Sequence, residues 1–223
     1  MKKIKIAMLA SNLELNGISA VIMNYCRNID LDKFEITIFA GNDINPNYRR
    51  ELEKIGISII QLPSKRLSKI KYYRALKNSM KRNYFDMIHV HGNSAVMAFD
   101  LEIAKLKGIK VRIAHSHNTV CPNMKLHKLL NPIFKRLYTN AFACGEEAGK
   151  WIFKNQSFEV INNGINVNKY TFDESIRNNV RKELNIKEDE ILIGHIRKNK
   201  LSKKSDIFIR YIRKILRRRL YKC

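Results

Sequence analysis

Seven short apolar runs, at residues 4–9, 35–40, 57–61, 87–90, 111–114, 141–144 and 158–161, constrain this chain more than any other feature. Each is almost unbroken in hydrophobicity and is closed by polar residues. Between them lie longer amphipathic stretches near 17–29, 47–55, 66–82, 94–107, 124–138 and 145–154. Unbroken short runs suit strands buried on both faces, and the stretches between them are long enough for crossover helices. The pattern predicts an α/β fold over residues 1–165, a doubly wound parallel sheet of Rossmann-like form with helices on both faces. Hydrophobic residues make up 45% of the chain, enough for a proper core.

Two of the runs end in unusual polar sequences. One reads Ile88-His89-Val90-His91-Gly92-Asn93, the other Arg112-Ile113-Ala114-His115-Ser116-His117-Asn118. Ligands of open α/β sheets bind in the crevice outside the carboxyl ends of the strands. Two such ends on successive strands predict a site for a polar ligand rich in hydroxyls or phosphates. Spacing of two places both histidines of each pair on one strand face, so metal ligation and a hydrogen-bonded structural role are both open. The lack of a nearby Asp or Glu weighs against a metal. His89 and His115 are expected to be structural, and His91 and His117, further along, to face the ligand. At the first strand–helix junction, Ser11 to Ser19, Gly17 fits either a simple capping turn or a helix start where backbone N–H groups approach an anion. Asn163-Gly164 reads as a left-handed turn after the last strand.

Charge is the second constraint. Lys and Arg number 43 against 20 acidic residues, a net +23. Residues 197–223 hold twelve basic side chains and one acid, so they carry 12 − 1 = +11 and the rest carries +12. This balance suits an anionic ligand, an acidic membrane or a nucleic acid. The body has no basic–aromatic ladder and no helix-turn-helix signal, which argues against specific nucleic-acid binding. Residues 125–136 (KLHKLLNPIFKR) read either as a helix packed on the sheet with a solvated basic face or as one lying on an anionic bilayer. Four cysteines lack pairing or ligand spacing, and Cys26 and Cys144 are expected to be buried thiols of a reducing, cytoplasmic protein. The first residues read as a buried strand, not a leader, and no apolar run is long enough to span a bilayer.

The ordered set N-G-I-S, H-V-H-G-N-S-A, R-I-A-H-S-H-N-T, A-C-G-E-E-A-G-K-W-I-F and V-I-N-N-G-I-N resembles the family 4 glycosyltransferases of GT-B fold, of the bacterial capsule and exopolysaccharide type. The resemblance covers residues 1–196. It implies a retaining transfer of a sugar from a nucleotide-sugar donor to a polysaccharide or lipid-linked acceptor, with peripheral contact at the inner membrane face. It implies no metal and no cofactor, the nucleotide-sugar being a substrate. The family's first-loop glycine falls on Gly17, and its histidine after the fifth strand falls on His117, the expected catalytic residue. His91, Gly92, Asn93 and Asn118 are expected to join Gly17 in binding the acceptor. The competing reading is a basic protein that binds nucleic acid or a membrane surface without catalysis.

The resemblance also divides the chain. Residues 166–188 read as a connector, and 189–196 as the first strand of a donor-binding domain. The family's donor groups lie beyond that point: a Gly-Arg, a lysine and a distant pair of glutamates. Here the strand runs into Arg197-Lys198-Asn199-Lys200 instead. Back-translating 197–214 with A/T-rich codons and reading from the second base gives G-R-I-N-Y-Q-K-N, which restores the Gly-Arg and the lysine. Residues 197–223 are therefore expected to be an out-of-frame tail, with no donor-binding residue retained and the chain inactive as it stands.

Overall fold

A computed structural model describes residues 2–41, 43–65, 67–81 and 84–193. The expected basic tail lies outside the described residues. Seven parallel strands form one sheet: β1 (Ile4–Ala10), β2 (Phe34–Gly41), β3 (Ser58–Leu62), β4 (Met87–Gly92), β5 (Val111–Ser116), β6 (Asn140–Ala143) and β7 (Glu159–Val160). Their order is β3-β2-β1-β4-β5-β6-β7, so the chain winds one way from β1 and the other way from β4. This is the doubly wound α/β architecture, and its switch point lies between β1 and β4.

Six helices make the crossovers: α1 (Gly17–Asn28), α2 (Pro46–Lys54), α3 (Lys69–Ser79), α4 (Met97–Leu106), α5 (Met124–Phe134) and α6 (Glu146–Phe153). Local chemistry sets their starts. Asn16, Asn45, Ser68 and Asn123 each accept a hydrogen bond from a backbone N–H of the first turn, and Pro46 supplies a preformed φ. Alternation along each strand splits the core in two. Ala7, Leu9, Ile88, Val90 and Ala114 pack with helices α3 to α6 on one side. Ile6, Met8, Ile36 and Ile38 pack with α1 and α2 on the other.

Some residues of the paired motifs serve only this framework. The Arg112 guanidinium donates to the carbonyls of Leu137 and Ile109 at the amino end of β5, remote from the carboxyl edge. The Ser116 hydroxyl, fully buried, donates to the Ala148 carbonyl at 2.8 Å and pins α6 to β5. Cys26 is buried as expected, whereas Cys144 is only half-buried, because it sits one residue past β6. Gly164 is not left-handed; its carbonyl instead accepts from the Asn24 amide at 2.6 Å.

The chain divides into two compact units, residues 1–166 and 167–223. In the second, a 3-10 turn (Val167–Tyr170) precedes α7 (Glu174–Glu183), which Asp173 caps through the Ile176 N–H. The strand expected at 189–196 does not form over its described part. Ile191, Leu192 and Ile193 are exposed, and no strand among the described residues pairs with them.

Candidate functional site

The carboxyl edge at the switch point gathers most of the expected residues. Parallel pairing puts His91 opposite His115 and Gly92 opposite Ser116, and the His117 N–H donates to the Gly92 carbonyl at 3.1 Å. The four imidazoles form two hydrogen-bonded pairs: His89 Nε2 with His115 Nδ1 at 3.1 Å, and His91 Nδ1 with His117 Nε2 at 2.9 Å. Within each strand the rings stack, 4.1 Å between the centroids of His89 and His91 and 4.2 Å between those of His115 and His117. Tyr25 of α1 covers three of them, with centroid distances of 6.1 to 6.4 Å.

Burial fixes the charge state of this stack. Desolvation, with each imidazole's neighbours adding to it, lowers His89 to about 3 and His115 to about 2. Desolvation alone lowers His117 to about 4, and His91 lies well below its ordinary value for the same first reason. All four are neutral at physiological pH, so each pair has one donor and one acceptor nitrogen. His91 Nε2 and His115 Nε2 are left buried without partners. His91 is not past the strand end as expected: it lies within β4 and is buried, because β4 runs on to Gly92. His117 is one residue beyond β5 and half-buried.

Metal chemistry has one candidate here. Ring nitrogens of His89, His91 and His115 lie within 4.8 Å of one another, the one such group among the described residues. No carboxylate joins them, and the imidazoles already spend nitrogens on one another, so the arrangement reads as a polar brace first.

Beside the stack is a cavity of about 250 Å³ lined by Ser11, His91, Gly92, Asn93 and Asn123, together with Lys65, Lys69 and Asp100. Three expected acceptor residues share this wall. Gly17 is the first residue of α1, exposed, and a Cβ built there meets nothing within 4 Å, so its backbone is open to a ligand. At Gly92 a Cβ would lie 2.9 Å from Met97 Sδ, a packing reason for glycine. Asn118 is exposed, is not part of this cavity wall, and accepts from the Thr119 N–H at 2.8 Å.

Four residues escape sequence reasoning: Lys65 and Asp100, which line this wall, and His127 and Trp151, which brace its turn from behind. Trp151 Nε1–H donates to the Asn93 carbonyl at 3.1 Å, and His127 Nδ1 accepts from the Ala95 N–H at 3.1 Å. The two rings stack, 5.3 Å apart, and hold the β4–α4 turn, whose helix has no side-chain cap of its own. Lys65 and Asp100 meet at 2.7 Å. Only a lysine and an aspartate 35 positions apart could have signalled that pair, and sequence spacing carries no such information.

The sequence model of Glycosyltransferase Family 4 matches residues 15–169, well over half of the chain. The chain belongs to glycosyltransferase family 4. A family relative, EpsF of Bacillus subtilis (strain 168), named as a glycosyltransferase, is 27% identical over 198 residues, 82% of this chain and 51% of its own length. Solved structures share the fold. HepE (Alr3699) of Anabaena, crystallised with UDP and glucose, aligns with a TM-score of 0.60 at 14% identity, over 81% of this chain and 50% of that one. A glycosyltransferase from Rickettsia africae ESF-5 aligns with a TM-score of 0.63 at 13% identity, over 85% and 51%. This family 4 chain thus spans about half the length of the relatives it matches. Among its described residues no helix is long and apolar enough to cross a membrane.

Proposed function

We propose that this chain supplies the acceptor-binding half of a glycosyltransferase that moves a sugar from a nucleotide-sugar to a saccharide or lipid-linked acceptor, with net retention. The observation that carries the reading is the cavity at the β1/β4 switch point, where Ser11 past β1 and His91, Gly92 and Asn93 of β4 and its following turn meet Val96, Met97, Pro122 and Leu126, so that polar groups stand on a largely apolar wall. His91, Gly92, Asn93 and Asn118 contact the acceptor, and Gly17 lets the α1 backbone approach the reacting groups. His117, half-buried and neutral, hydrogen-bonds the transferred sugar; it is a hydrogen-bonding group and not a proton reservoir at pH 7. Its partner His91 holds the ring's orientation at 2.9 Å. UDP and glucose bound to HepE support a uridine diphosphate sugar as donor. Helix N-termini and basic side chains suffice to neutralise a leaving diphosphate, so the reaction assigns no role to a metal.

Membrane contact belongs to the same reading. Helix α5 buries Leu130 and Phe134 in the core and presents Lys125, Lys128, Leu129 and Ile133 outward, with exposed Arg136 two residues past its end. Leu129 is 72% and Ile133 53% exposed, apolar groups among cations that suit an anionic lipid surface.

The test joins residues 1–166 to the donor-binding half of EpsF and follows nucleoside diphosphate release from UDP-glucose with bacterial lipid extract. Turnover that falls at least tenfold on His117→Ala, with an anomer-retained product, supports the reading. No release from any sugar nucleotide refutes it. Co-sedimentation with phosphatidylglycerol vesicles, lost on Leu129→Ser/Ile133→Ser, tests the membrane contact.

A further inference from the structure

Asparagine followed by glycine is the dipeptide in which a main-chain nitrogen most readily attacks a side chain. Glycine carries no Cβ to crowd that nitrogen, so it can reach the carbonyl carbon of the preceding asparagine. The chain holds two such pairs, Asn16-Gly17 and Asn163-Gly164. The fold treats them in opposite ways.

Asn16 is the N-cap of α1, and both ends of its side-chain amide are engaged. Its Oδ1 accepts from the Ser19 N–H at 3.0 Å, and its Nδ2 donates to Asn12 Oδ1 at 2.8 Å. An amide tied at both atoms cannot swing onto the Gly17 nitrogen without giving up the cap. Asn163 stands three residues past β7, on the carboxyl edge of the sheet. It and Gly164 are both exposed, and among the described residues neither the Asn163 amide nor the Gly164 N–H makes a hydrogen bond. A Cβ built on Gly164 meets nothing within 4 Å, so nothing crowds the peptide there. One contact holds the pair: the Gly164 carbonyl accepts from Asn24 Nδ2 of α1 at 2.6 Å. That bond engages the oxygen and leaves the reacting nitrogen free.

We propose that Asn163 is a site of spontaneous deamidation and isomerisation, a slow covalent change built into the carboxyl edge of the sheet. The Gly164 nitrogen gives its proton to solvent base and forms a bond to Asn163 Cγ. The Cγ–Nδ2 bond breaks, and that nitrogen takes a proton from water and leaves as ammonia. Water then opens the resulting succinimide. Attack at Cγ gives aspartate, and attack at the main-chain carbonyl gives isoaspartate. Either product adds one negative charge. Isoaspartate also lengthens the main chain by one methylene, which carries the Gly164 carbonyl away from Asn24 and unties this segment from α1. The inference is independent of the sugar-transfer reading.

The 223-residue chain is incubated at pH 6.5 and at pH 8.5, and its tryptic peptides are followed by mass spectrometry with fragmentation to single residues. The peptide of residues 155–169 is expected to gain one mass unit at Asn163, at least tenfold faster than residues 6–27 gain it at Asn16. The Asn163 rate should rise at least tenfold between the two pH values, because the attacking nitrogen must first lose its proton. In urea the two asparagines should react at similar rates, since only the fold separates them. Gly164→Ala fits the open space and should slow the reaction at least tenfold without moving the urea midpoint. In the isoaspartate form, detected by enzymatic carboxyl methylation, the NMR signals of the Asn24 side-chain amide should move. An Asn163 that stays unmodified overturns the proposal, and so does an Asn16 that reacts equally fast in the folded chain. Gly164→Ala reacting at the native rate overturns the main-chain attack. Unmoved Asn24 signals overturn the untying alone.

Discussion

The histidine stack makes stability depend on pH in a direction that burial dictates. In the unfolded chain each imidazole titrates near 6.5, roughly, whereas the folded values for His89, His115 and His117 are about 3, 2 and 4. Below about pH 6.5 the unfolded state therefore binds protons that the native state refuses. Stability is full above that point and falls as pH drops toward 4, at up to roughly 1.4 kcal/mol per pH unit for each histidine. Urea midpoints at pH 7.5, 6.5 and 5.5 should decrease in that order. Replacing one hydrogen-bonded pair, His89→Leu/His115→Leu, should flatten the slope by about half. A midpoint that does not move between pH 7.5 and 5.5 would contradict the buried, neutral assignment.

Helix α6 shows how an element that does not line the cavity governs its wall. Gly149 faces Phe158, and a Cβ there would overlap the ring. Gly149→Ala should thus destabilise by ~1–3 kcal/mol although alanine favours helix by about 1 kcal/mol, because overpacking outweighs propensity. A chemical melt measures this, and Phe158→Leu in the same chain should recover part of the loss. The same helix carries Trp151, whose indole N–H fixes the Asn93 carbonyl. Trp151→Phe removes one hydrogen bond, worth ~1 kcal/mol of stability. It should also weaken sugar binding several-fold in NMR titration, since the β4–α4 turn loses its tether. Unchanged affinity would show that the turn is held by His127 alone.

At the scale of the whole molecule, every buried apolar residue among the described residues lies between Ile6 and Phe153, inside the first unit. A fragment of residues 1–166 should accordingly melt cooperatively at a urea midpoint close to that of the full chain. Cutting after Ile196 separates the two readings of the positive charge. A nucleic-acid binder would lose most of its affinity and its salt dependence, whereas the sheet and its cavity would be untouched. Periodicity alone determined the seven strands and six crossover helices, because buried parallel strands and amphipathic helices write different spacings into the chain. It also marked the histidine-bearing stretches as the carboxyl ends of strands, since each apolar run stops there in polar residues. Tertiary structure decided the rest. His91 is buried because β4 runs two residues further than its apolar run, and Arg112 and Ser116, motif residues like the histidines, turned out to bond only the framework. Lys65, Asp100, His127 and Trp151 join the site because the β3–α3 loop and helices α4, α5 and α6 bring them to the β4 edge. Their contacts cross tens of positions, and the order of strands across the sheet, which no local pattern encodes, sets which of them meet.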